Sequence, residues 1–99
     1  MEYFSDVVAQ ISFFHSNQGG RSVPFGQGFS PKLIFDASPV EYFTILDVNE
    51  NETIFPGDKI KLQIKIKGNP GIFLHKGASF DLLEGENTIG NGTIMKIFN

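Results

Sequence analysis

Lys59, Lys61, Lys65 and Lys67 fall on one parity of the run Lys59-Ile60-Lys61-Leu62-Gln63-Ile64-Lys65-Ile66-Lys67, with Gln63 in the middle place. In an extended chain such positions share a side and recur about every 6.8 Å, a spacing that lets ammonium groups follow successive phosphates. A solvated strand face that resists association carries the same pattern, and no aromatic residue interleaves with the lysines inside the run to stack on bases. Arg21, between Gly20 and Ser22, presents a guanidinium fork suited to phosphate or carboxylate, or to tying a loop to the core. His15 and His75 are the only histidines, and zinc would need two carboxylates at spacings the sequence does not offer. Gly26-Gln27-Gly28 is a fragment of a phosphate loop without a following helix, and no serine stands in a nucleophile elbow. Neither catalytic residues nor a metal nor a cofactor is expected.

The surrounding chemistry narrows the class. The 99 residues are 40% hydrophobic and 19% charged, the balance of one globular domain spanning 1–99. Eleven phenylalanines are spread along the chain, so apolar surface is contributed throughout. Cysteine is absent, which excludes disulfides and thiolate metal sites and fits a reducing, cytoplasmic setting. No basic start followed by an apolar stretch is present, so neither a signal peptide nor a spanning helix is expected, and the tripeptides at Asn51 and Asn91 carry no glycosylation weight. The net charge of −3 argues against a general nucleic-acid binder. Six acids and no base lie between Leu33 and Asp58, which predicts an acidic side and a basic side.

These residues must be positioned by strands. Strict alternation over residues 59–67 after the turn Pro56-Gly57-Asp58 predicts a half-buried strand. Val7 to Phe14, Pro31 to Phe35, Val40 to Val48, Ser79 to Leu83 and Thr88 to Phe98 give five more, and no apolar run has helical spacing. Residues 17–28 are punctuated by glycine, asparagine and proline and predict a long structured loop, in which Phe25 and, just beyond it, Phe29 are either core anchors or an exposed apolar patch. Six short strands with turns between them predict an all-β, six-stranded antiparallel closed barrel with Greek-key-like connections, since closure removes exposed edges.

Gly19-Gly20-Arg21, Pro24-Phe25, Gly28-Phe29, Pro31 and Phe35 resemble, in order and spacing, the first loop and second strand of the elongation factor Tu carboxy-terminal domain. Phe55-Pro56-Gly57-Asp58 with Ile60-Lys61 resembles its Pro-Gly-Asp turn, and Phe80, Glu84-Gly85, Thr88-Ile89-Gly90, Gly92 and Lys96-Ile97 resemble its closing hairpin. The likeness runs from about Phe4 to Phe98. It implies a barrel that does no chemistry itself, packs on GTPase and middle domains, touches the T stem of aminoacyl-tRNA and meets a nucleotide exchange factor. Carried over by position, Arg21, Glu84 and Gly85 match contact residues of that family, and Lys32 replaces a glutamine.

The departures matter as much. Asp36, Ser30, Leu83 and Asn87 occupy arginine positions and Glu41 a threonine position, so attraction for phosphate is lost or turned to repulsion. No Gly-x-x-x-x-Gly-Lys-Ser/Thr loop occurs, so this chain alone is not expected to bind or hydrolyse nucleotide. The leading expectation is a non-catalytic module that binds a protein partner, a translation component among the candidates. The alternative is tRNA or RNA binding through Arg21, Lys32 and the lysines of residues 59–67, and a third is recruitment of the barrel to an unrelated role, including enzymatic use of a deep pocket.

Overall fold

The computed structural model describes residues 3–18 and 23–98, Gln18 by its backbone only. Among the described residues six strands close into one barrel in the ring order β1-β4-β3-β2-β5-β6, every pair antiparallel. They are β1 (Phe4–Phe13), β2 (Lys32–Phe35), β3 (Glu41–Leu46), β4 (Lys59–Lys67), β5 (Ser79–Glu84) and β6 (Asn87–Ile97), with short 3-10 turns at Ser16–Gln18 and Gly71–Phe73. β2, β3 and β4 form a meander and β1 returns beside β4, which is a Greek key. The predicted fold class is therefore the observed one.

Local chemistry explains where the strands begin and turn. Phe55-Pro56-Gly57-Asp58 closes through Asp58 N–H to the Phe55 carbonyl at 3.0 Å, with Gly57 at φ 91°, the geometry of a type II turn. The Asp58 carboxylate accepts from the Phe55 N–H at 2.9 Å and locks the turn from outside. β4 starts at the next residue and spans the predicted residues. Pairing of β2 with β3 ends at Lys32 opposite Phe43 because Pro31 has no N–H to continue the ladder. Side chains take over there: the Thr44 hydroxyl donates to the Pro31 carbonyl at 2.6 Å, and the Ser30 hydroxyl donates to the Thr44 carbonyl.

Alternation fills the interior. Val7, Ala9 and Ile11 of β1, Leu33 and Phe35 of β2, Ile64 and Ile66 of β4, Phe80 and Leu82 of β5 and Ile94 of β6 form one buried cluster. Gly90 and Gly92 bring β6 close to β1: a Cβ on Gly90 would lie 2.7 Å from the Ser12 carbonyl oxygen. The loop after β1 is pinned by a two-way bridge between Phe25 and Ile54, at 3.0 and 2.8 Å. The Phe25 ring meets Phe13 edge-on at 5.0 Å and Phe29 at 4.0 Å, so both loop phenylalanines pack as anchors against the core.

Candidate functional site

β4 carries Lys59, Lys61, Gln63, Lys65 and Lys67 on its outer side while Leu62, Ile64 and Ile66 are buried. Register then decides which neighbours reach the lysines. On the β1 side Phe4 stands opposite Lys67 and Asp6 opposite Lys65, whose ammonium lies 3.4 Å from the Asp6 carboxylate. On the β3 side Ile45 stands opposite Lys65, and Phe43 lies two residues away on the same outer face. On β2 Lys32 stands opposite Phe43, its ammonium 5.7 Å from the ring centre and 3.5 Å from Glu41.

The outer face of β3 and β4 thereby becomes apolar at its middle and basic around it. Phe43 is 60% exposed and Ile45 is 46% exposed, which makes a contiguous apolar pair of two successive outward positions of one strand. Ile45 forms a ridge between two open grooves of about 330 and 340 Å³. The first is lined by Phe4, Ser30, Phe43, Thr44, Ile45 and Lys67. The second is bordered by Gln27 and Gly28 and runs along Leu46, Asp47 and Val48 to Gln63 and Lys65.

The residues singled out from sequence do not form one site. Lys32, Lys65 and Lys67 gather around Phe43 and Ile45, with Lys61 and Lys59 continuing along β4. Glu84 and Gly85 sit at the tip of the β5–β6 hairpin, and β5 is three places from β4 in either direction around the ring. Gly85, at φ 62°, opens the two-residue turn that joins those strands, as a hairpin of this length requires. Arg21 lies outside the described residues. His15 packs its ring against Gly57, where an added Cβ would come within 2.3 Å of it, and His75 is exposed, its Nδ1 3.1 Å from the Lys76 carbonyl oxygen. Among the described residues no group of three or more His, Cys, Asp or Glu side chains is disposed to hold a metal ion.

Asp81, half-buried on β5 and paired with Ile34 and Asn91, has its carboxyl pushed above its ordinary value of 3.8 by burial and secondarily by the Asp36 charge. It lines neither groove beside Ile45. Phe43, Ile45 and Phe4 are what sequence reading missed, although Tyr42-Phe43-Thr44-Ile45-Leu46 holds more large apolar residues than one buried face of a strand can absorb.

The chain is thus a closed six-stranded Greek-key barrel with a packed interior and an apolar, lysine-framed outer face. The family model described as elongation factor Tu C-terminal domain matches residues 1–98. The chain belongs to that family, a family of non-catalytic barrel domains related to translation factors. Among the described residues no helix is long and apolar enough to cross a membrane.

Proposed function

We propose that this barrel is a non-catalytic binding module that acts through protein contact, with the β3–β4 outer face as its contact surface. The observation that carries the reading is the pair Phe43 and Ile45, exposed side by side on a rigid strand within a frame of lysines. Aromatic and aliphatic anchors on regular structure, with charges at the rim, are what a protein interface uses for affinity and steering respectively. Membership of a translation-factor family supports a partner in the cytoplasmic translation machinery.

RNA is the second reading, and one observation favours it: Phe43 from the neighbouring strand supplies an exposed ring between Lys32 and Lys67. It ranks below protein contact because Asp6, Glu41 and Asp47 stand among the lysines of this face, where a phosphate chain needs an unbroken run of cations. Binding of the purified protein to bulk tRNA across a salt series, run beside affinity capture from cell extract, separates the two. Capture of a defined protein with negligible tRNA binding at low salt supports protein contact. Tight tRNA binding that weakens steeply with salt, with no protein retained, refutes it.

A further inference from the structure

We propose that the partner presents a short acidic segment, which seats two large apolar side chains in the grooves on either side of Ile45 and lays carboxylates over Lys32 and Lys67. This deepens the protein-contact reading and rests on it. Three features of the face specify the occupant.

Spacing is the first. Phe43 and Ile45 are two residues apart on one strand, about 7 Å, which is also the repeat of same-side side chains in an extended segment. Each groove is open and has room for a large apolar side chain.

Charge is the second. The whole chain carries −3, yet Lys32, Lys61, Lys65 and Lys67 outnumber Asp6, Glu41 and Asp47 on this face. The sign here is opposite to that of the molecule, so acidic partners are steered to this face and a second copy would set lysines against lysines.

Polarity along the face is the third. Lys32 and Lys67 flank the Phe43 groove, whereas the other groove is bordered by both Asp47 and Lys65, the latter paired with Asp6. The carboxylates of the segment therefore belong at the Phe43 end and its neutral residues at the Asp47 end. A nucleic-acid strand crossing both grooves fits less well, because its phosphates would meet the apolar Ile45 and the Asp47 carboxylate.

The test is fluorescence anisotropy with a labelled peptide that places aspartates on both sides of a leucine and a phenylalanine two residues apart. One control replaces the aspartates by lysines and another replaces the two apolar residues by serines. The acidic, apolar peptide should bind at least about tenfold more tightly than either control, the difference expected when one exposed apolar side chain or one charge pair is withdrawn. Phe43→Ser combined with Ile45→Thr should weaken binding by a similar factor, and the second change exchanges one β-branched residue for another so that the strand is retained.

Lys32→Gln with Lys67→Gln touches no core residue and should both weaken binding and flatten its salt dependence, whatever the first variant does to folding. Equal binding of the lysine peptide, or unchanged binding by the folded variants, overturns the proposal. If the peptide fails while the captured protein is retained equally by wild type and the Phe43, Ile45 variant, the docking chemistry is wrong and protein contact stands. If capture is also empty, both fall.

Discussion

Replacing Gly92 by alanine should be among the most damaging single-atom additions available to this barrel. A Cβ there would lie 2.5 Å from Phe80 Cζ, 2.9 Å from Phe80 Cε1 and 2.7 Å from the Gln10 carbonyl oxygen. Carbon atoms rest about 3.5 to 4.0 Å apart, so the ring must retreat by about 1 Å. Phe80 is fully buried and meets Phe35 edge-on at 6.4 Å, which leaves its ring no open space to enter. The oxygen is backbone of β1, whose displacement would disturb the β1–β6 ladder. Overpacking commonly costs about 1 to 3 kcal/mol, and with two rigid walls we expect about 3 kcal/mol. For a domain of this size that corresponds to a melting temperature lower by roughly 12 to 24 °C. Differential scanning calorimetry reads it directly. Phe80→Leu removes the two offending ring atoms, so the double variant should be at least about 1 kcal/mol more stable than the sum of the single effects. A fall of under about 4 °C for Gly92→Ala, or strict additivity in the double variant, would refute the packing argument.

Three further outcomes are expected from the same geometry. Asp81→Asn should raise the melting temperature at neutral pH: an acid whose folded value is raised binds its proton more tightly in the folded state, so wild-type stability declines as pH rises from about 3.8 toward the raised value. Melting curves across that range should show the decline in wild type and a shallower one in the variant, and identical slopes would show that Asp81 is not responsible. Phe25→Ala removes the ring between Phe13 and Phe29 and should cost about 1.5 to 3 kcal/mol, less than for a fully buried ring, while exposing residues 23–30 to limited proteolysis. Thr44→Val keeps the shape but leaves the Pro31 carbonyl without its buried donor, and urea denaturation should find about 1 to 3 kcal/mol lost.

The strands were legible because most alternate cleanly. β4 is found at the predicted residues, since the type II turn fixes its start and the alternation from Lys59 to Lys67 its course. Long-range contacts move other boundaries. β1 begins at Phe4 instead of Val7 because the Ser5 hydroxyl donates to the Gly68 carbonyl at 3.2 Å, just past the end of β4, and Asp6 meets Lys65 at 3.4 Å. Proline sets the start of β2 at Lys32, and the chain leaves β3 at Leu46, where Val48 N–H turns back to the Leu46 carbonyl at 3.0 Å.

The candidate site was not legible, for a related reason. From hydrophobicity, Phe43 and Ile45 should be inside and Thr44 outside. The barrel does the reverse, because the Thr44 hydroxyl satisfies Pro31 where the ladder stops, and with strand alternation that sends Phe43 and Ile45 to the surface. Phe4 joins them from the first strand, a distant part of the sequence, as a consequence of register with Lys67.

The residues that carry the family resemblance and those that form the proposed contact face are largely different sets. Gly57 makes a type II turn against His15, Gly85 makes the hairpin turn, Gly90 and Gly92 admit β1 and Phe80, and Phe25 and Phe29 pin the first loop. Each of these solves a problem of chain geometry that any barrel with this connectivity must meet, whatever it binds. Phe43 and Ile45 solve no such problem: on the outer face, polar residues would serve the fold equally well. Apolar bulk at positions the fold leaves unconstrained, framed by charge opposite to that of the whole chain, is best explained by something that covers it. On the reading proposed above, the β3–β4 face is where this chain's own function is to be sought.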